Sequence, residues 1–238
     1  MTVVGRVGAL SVFPVKSTAG ESVRSARVTE RGVVGDREWA VYTADGGIGS
    51  GKTSRRFRKI EGLLAWRSAA PSDPDAVPSV HAPDGQVYRV DDPAASLALS
   101  EAFGQALELR REGDVPHHDD CPVHLVTTSS LREVERVVGA PVAARRSRAN
   151  IVLETDGDGF VEDAWEGADL VIGEVVLRLG PGMPRCVMVD MPQAGVRADP
   201  PVLKALGSAH DVLLGLQASV LRPGTISLGD EARVVRGS

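Results

Sequence analysis

The residues able to do covalent or metal chemistry are few in this chain of 238 residues, which contains two cysteines, Cys121 and Cys186. Cys186 lies in Gly182-Met183-Pro184-Arg185-Cys186-Val187-Met188-Val189-Asp190, where a glycine-proline turn delivers an arginine and then a thiol. A thiolate is a soft metal ligand and a nucleophile, and a cation such as Arg185 beside it favours the charged form. The apolar run after Cys186 reads as a short strand, which sets the thiol on a loop at a strand edge, open to a bulky cofactor. Three other stretches carry compatible groups. Lys16-Ser17 follow a proline turn and offer an ammonium beside a hydroxyl. Asp36-Arg37-Glu38-Trp39 starts a strand with an arginine that a carboxylate could aim. In Ser147-Arg148-Ala149-Asn150 the two-residue strand period puts Arg148 and Asn150 on one face. Such cations and amides suit a phosphorylated, heteroatom-rich ligand. Each of the three, taken singly, reads as a surface salt bridge or a helix N-cap.

Three other motifs suggest different chemistry. Gly46-Gly47-Ile48-Gly49-Ser50-Gly51-Lys52-Thr53 has the residue pattern of a phosphate-binding P-loop. That motif works only when a helix follows and points its N-terminus at the phosphates. Ser54-Arg55-Arg56-Phe57-Arg58-Lys59 makes a poor helix, so a basic loop is expected. His117-His118-Asp119-Asp120-Cys121-Pro122-Val123-His124 is rich in zinc-ligand types, but no second ligand pair stands at matching spacing. The adjacent histidines and aspartates before Pro122 are read as a solvated loop. Asp156-Gly157-Asp158-Gly159-Phe160 begins like a calcium loop and fails where phenylalanine replaces an oxygen ligand.

Positioning such groups needs a scaffold, and 42% hydrophobic residues are enough to bury a substantial core. The formal net charge of -5 argues against nucleic-acid binding, which wants a basic surface. Two cysteines make no disulfide framework, and no leader or membrane-length apolar run is visible, so a cytoplasmic, membrane-free protein is expected. Strands are expected at Val3–Val12, Ser22–Thr29, up to Thr43, Val123–Thr127 and Asn150–Glu154. Hairpins are expected at Asp45-Gly46-Gly47 and Pro83-Asp84-Gly85-Gln86, and across 169–179 with its turn at Gly173-Glu174. The stretch 71–83 reads as loop. Helical spacing over Ala94–Leu109, a capping box at Ser130-Leu131-Arg132-Glu133 leading to a stop before Gly139, and Pro200-Pro201 mark three helices. The tail from Gln217 to Val235 reads as strand, turn, strand. Many short strands without regular βαβ alternation give a mainly β (α+β) fold, a β-barrel with peripheral helices.

Phe13-Pro14-Val15-Lys16-Ser17, Gly20 and Gly35-Asp36-Arg37-Glu38-Trp39 together resemble the start of MOSC-domain proteins, named for the C-terminal domain of molybdenum-cofactor sulfurase. The likeness continues through Arg148-Ala149-Asn150-Ile151, Trp165-Glu166-Gly167, Leu170-Val171-Ile172-Gly173, Arg185-Cys186 and the tail Pro223-Gly224-Thr225-Ile226-Ser227-Leu228-Gly229-Asp230. The resemblance implies a MOSC β-barrel from residues 1–37 and 115–238, with a smaller inserted β-rich MOSC N-terminal-type subdomain over 38–114. It implies molybdenum cofactor, a pterin dithiolene phosphate holding molybdenum, bound between them. Cys186 matches the molybdenum ligand of the family's amidoxime-reducing members. Lys16, Ser17, Arg37, Arg148, Asn150 and Arg185 match cofactor-holding positions, and Thr127 and Thr128 match a Ser/Thr site near the cofactor. The implied activity is reduction of N-hydroxylated or N-oxide-type small molecules. A ferredoxin-like cysteine cluster is missing, so a separate electron-transfer protein is the expected partner. The other reading is a sulfur carrier or cofactor-handling protein with a Cys186 persulfide. Ala149 departs from the family, where proline is common, and the Gly49–Lys59 loop departs from its usual arginine-proline stretch.

Overall fold

The computed structural model describes residues 1–71 and 76–236. Alternating small and β-branched residues make Thr2–Val12 its longest strand, and this strand organises the largest sheet. The hydrogen-bonding order is Ile151–Glu154, Val123–Thr127, Leu213–Arg222, Val175–Pro184, Asp169–Ile172, Glu231–Val235, Thr2–Val12 and Glu21–Val23. Thr2–Val12 also pairs with Ile151–Glu154, Leu10 standing opposite Ile151, so seven strands close into a barrel. Closure removes the free sheet edges. Alternate residues point inward: Leu170 and Ile172 from one strand, Val175, Leu177 and Leu179 from the next, all almost fully buried.

One pair in the barrel is parallel, Val123–Thr127 beside Ile151–Glu154, and the helix Thr128–Val138 makes the crossover. Its Val134 packs with Val126, Val189, Leu206 and Leu214 in a cluster outside the barrel, where the short helix Leu203–Ala209 also docks. Residues 39–111 build separate sheets. Leu107–Arg111, Trp39–Thr43, Ile48–Ser50 and Phe57–Lys59 form one; Val87–Arg89, Ser79–His81 and Arg67–Ala69 form another. Val41, Ile60, Leu63, Trp66, Leu99 and Leu107 give these sheets their own core, which Val15 joins. No helix among the described residues is long and apolar enough to cross a membrane.

Several expectations need correction. The helix expected over Ala94–Leu109 ends at Phe103, because Gly104 adopts a left-handed φ of 61° and caps it; Leu107 and Leu109 then face inward from a strand. The expected strand Ser22–Thr29 divides at Arg24. Thr127, not Ser130, caps the helix Thr128–Val138, accepting from the Ser130 amide, so the capping box does not form. Ile48–Ser50 and Phe57–Lys59 are short parallel strands within the stretch expected to be loop, and no helix follows Lys52, which removes the phosphate-loop geometry. Ser79–His81 is a strand inside the expected loop 71–83, of which 72–75 lie outside the described residues. Val187–Asp190 is a 3-10 turn capped by Cys186, not a strand. Arg148 and Asn150 precede the strand Ile151–Glu154; Arg148 is the left-handed cap of a 3-10 turn over Ala144–Ser147.

Candidate functional site

The turn after Thr2–Val12 is fastened twice. Ser68 Oγ accepts from the Val15 amide at 3.1 Å and from Thr18 Oγ1 at 2.8 Å, and the Lys16 amide donates to Trp39 O at 2.7 Å. Ser17 is thereby held at a φ of 65°. Asp36, fully buried, accepts from the Phe13 amide at 2.8 Å through Oδ1 and from Arg37 through Oδ2. Arg37 itself has a φ of 54° and reaches Arg148 O with NH2 at 3.2 Å. Arg148, also at 54°, donates to Thr18 O at 2.8 Å and lies 4.4 Å from the centre of the Phe13 ring, which Arg37 approaches at 4.7 Å. A side chain at positive φ costs about 1–3 kcal/mol and persists only where surroundings enforce it. Three of the five such non-glycine residues described, Ser17, Arg37 and Arg148, line one cleft.

That cleft has a volume of about 270 Å³, and Cys186, Arg185, Lys16 and Asn150 line it as well. The turn beginning at Val187 presents the half-exposed Cys186. Arg185 donates to Ser147 O at 2.8 Å through NH2, while its Nε is buried and finds no hydrogen-bond partner among the described residues. Asn150 holds the floor together, accepting from the His124 amide at 3.1 Å and donating to Ser11 O at 3.3 Å.

Burial dominates the electrostatics. It takes Arg148 down to about 9, with repulsion from Arg37 and Arg185 adding to it, and lowers Arg185 as well. Lys16, 4% exposed, is drawn down to about 8 by burial although Asp119, 2.5 Å away, works to raise it. Burial also opposes charge on Asp119, but Lys16 and Lys52 outweigh it and hold that carboxyl near 2. His118 is pushed to about 4 by burial and then by Arg31, so it is neutral at pH 7; its Nε2 is buried, 3.9 Å from Asp36 Oδ2, and makes no hydrogen bond among the described residues. An excess of cations together with the unpartnered buried Nε–H of Arg185 is the signature of a site built for an anionic, polar ligand.

A MOSC domain model matches residues 112–233, and a MOSC N-terminal beta barrel domain model matches residues 4–114. The chain belongs to the MOSC-domain family. Its relatives include mitochondrial amidoxime reducing component 2 of Rattus norvegicus, 25% identical over 95% of this chain and 82% of that protein. Mitochondrial amidoxime-reducing component 1 of Homo sapiens is 24% identical over the same shares. Among solved structures, the YUAD protein from Bacillus subtilis superposes with a TM-score of 0.54 at 14% identity, covering 98% of this chain and 97% of that one. It shares the fold.

In this MOSC chain the structure gathers Lys16, Ser17, Arg37, Arg148, Asn150, Arg185 and Cys186 in one place. Thr127 and Thr128 lie elsewhere. The cleft receives Cys121 and His124, at the start of the strand Val123–Thr127, whereas the threonines stand at its far end, about 10 Å beyond His124 at 3.3 Å per residue. Thr127 Oγ1 donates to Glu162 at 2.6 Å, and Thr128 Oγ1 to Thr155 O at 3.3 Å. The histidines and aspartates 117–120, read as a solvated loop, instead bury His117 and His118, and residues 118–121 enter the cleft. Among the described residues no three His, Cys, Asp or Glu side chains converge as a metal site. Lys52, attributed to a free basic loop, also lines the cleft. Histidines packed between acids and a proline were the available signal; their burial depends on Tyr42 and Arg37, more than 70 residues distant in sequence, since His117 pairs with Tyr42 OH at 2.9 Å and Arg37 O at 3.1 Å.

Proposed function

We propose that this chain is a molybdenum-cofactor-dependent reductase of N-hydroxylated or N-oxide-type small molecules, supplied with electrons by a separate protein. The observation that carries the reading is Cys186 opening into a cleft walled by Arg37, Arg148, Arg185 and Lys16. The residues fit the group: a soft thiol donor, buried cations for a phosphate, and the unpartnered Nε of Arg185. Relatives named as amidoxime-reducing components support the same reading.

Cys186 would hold the metal, and Arg148 and Arg185 would grip the phosphate with planar guanidiniums already desolvated and fixed by Thr18 O and Ser147 O. Lys16 and Ser17 add an ammonium and a hydroxyl to the same cleft. Arg37, tied to Asp36, braces Arg148 through its carbonyl. When bound, the cofactor supplies two-electron chemistry that accepts the substrate's oxygen. The protein's task is to bind, orient and surround it with charge that needs no rearrangement.

The test is reduction of benzamidoxime to benzamidine with reduced viologen as donor, using protein made in a host that synthesises the cofactor. Wild type is expected to turn over, and Cys186→Ala and Cys186→Ser to lose activity at least about a hundredfold, since serine is a harder ligand. Cys121→Ala is expected to stay active: its thiol donates to Val123 O at 3.0 Å, and burial pushes its pKa up to about 11. Loss in the Cys121 variant with retention in both Cys186 variants would reverse the assignment.

A further inference from the structure

Lys52 stands in the cleft without a part in the reading above. Its Nζ lies 3.3 Å from Asp119 Oδ2 and 5.1 Å from the centre of the Phe57 ring. The other oxygen of the same carboxylate holds Lys16 at 2.5 Å, and Lys16 lies 4.8 Å from the same ring. Two ammoniums therefore share one carboxylate, and the trio carries a net positive charge. The two lysines differ in access. The Lys16 side chain is 5% exposed and the Lys52 side chain 30%. Lys16 is the inner cation, and Lys52 the one at the rim.

The loop carrying Lys52 is fixed at both ends. A Cβ on Gly51 would fall 2.5 Å from Met191 Sδ and 2.8 Å from Met188 Cγ, so the backbone lies directly on the turn that follows Cys186. Beyond Lys52, Arg56 donates to His118 O at 3.0 Å and to Pro116 O, which fastens the loop to the segment entering the cleft from the other side. The ammonium is thus placed beside the reaction cleft by clamped backbone. An ammonium has three donors, and Asp119 is the one acceptor found for Lys52 among the described residues.

We infer that Lys52 reads the substrate, and that the cleft takes N-hydroxylated compounds bearing a carboxylate in preference to neutral ones. This inference rests on the reductase reading for the chemistry, but its charge preference is measurable without turnover. Arg148, buried, and Arg185, half-buried, are each anchored to a backbone carbonyl; Lys52, from a different segment, is left for a ligand arriving from solvent. A half-buried pair with a ligand carboxylate favours the charged ligand about tenfold.

The test is isothermal titration of cofactor-loaded protein with benzamide and with 4-carboxybenzamide, which differ by one carboxylate and are not reduced. Wild type is expected to bind the carboxylate about tenfold more tightly, with the margin shrinking in high salt. The preference should vanish in Lys52→Met, invert in Lys52→Glu and survive in Lys52→Arg, while molybdenum content stays at the wild-type level in all three. Equal binding of the two ligands by wild type, no binding of the carboxylate, or a preference that persists in Lys52→Met would overturn the inference. So would a fall in molybdenum in Lys52→Met, which would make the lysine a cofactor ligand. If the preference follows Lys52 but neither benzamidoxime nor 4-carboxybenzamidoxime is reduced, the reductase reading fails and the anion reading stands.

Discussion

At the scale of single residues, the cleft joins charges that are costly to bury and leaves them incompletely paired. Lys16 shows the balance best: burial takes its pKa from 10.5 down to about 8, and Asp119 prevents a larger fall. Because the folded value lies below the unfolded one, the unfolded chain binds more protons between about pH 8 and 10.5. The contribution of Lys16 to stability therefore rises with pH across that window and is a constant cost below it. The chain has only four lysines, so carbon NMR of the side chains can follow each one. In cofactor-free protein one lysine is expected to titrate near 8, and Asp119→Asn should lower it further by removing the attraction. A Lys16 titrating at the ordinary value near 10.4 would show that the site is wetter than the structure has it. Lys16, Arg37, Arg148 and Cys186 were legible because each stands in a short stretch of distinctive type. His118 and Asp119 were not, because their role follows from burial against segments distant in the chain.

At the scale of elements, the barrel strands announced themselves by two-residue alternation, and Gly173-Glu174 and Pro83-Asp84-Gly85-Gln86 announced their hairpins. The errors fell where two local preferences compete. Leu107 and Leu109 fit a helical stripe, yet Gly104 ends the helix and pairing with Trp39–Thr43 claims them. The run after Cys186 is apolar enough for a strand, but it turns to bury Met188 and Val189, which leaves the thiol at the lip. Backbone closeness matters as much as pattern. Gly215 has a φ of 74°, and a Cβ there would lie 2.2 Å from Leu125 O in the adjoining strand. Gly215→Ala is expected to cost at least about 2 kcal/mol, from left-handed strain plus displacement of the strand that carries His124. Urea unfolding should register it as a lower midpoint at unchanged slope; an unmoved midpoint would mean that the contact between strands 213–222 and 123–127 is looser than described.

At the scale of the whole molecule, a chain of net charge -5 nonetheless brings Lys16, Arg37, Lys52, Arg148 and Arg185 to one cleft. The family models divide the chain near residues 112–114, but Thr2–Val12 hydrogen-bonds to both Ile151–Glu154 and Glu231–Val235. The N-terminal strand is therefore part of the barrel, and segments from both matched regions line the cleft. Composition and turn spacing made the barrel legible; how the subdomain folds its loop 51–56 over the cleft was not, since that placement depends on Met188, Met191 and the carbonyls of 116–118. A ligand bridging both units and binding only the folded state should raise the thermal midpoint. The most direct measurement is molybdenum and pterin content per chain, by elemental analysis and pterin fluorescence, for wild type, Cys186→Ala and Arg148→Ala purified from a cofactor-competent host. The account predicts about one molybdenum and one pterin per wild-type chain, with the metal lost in Cys186→Ala and both sharply reduced in Arg148→Ala. Wild-type protein free of both, and unable to take up the cofactor in reconstitution, would contradict it.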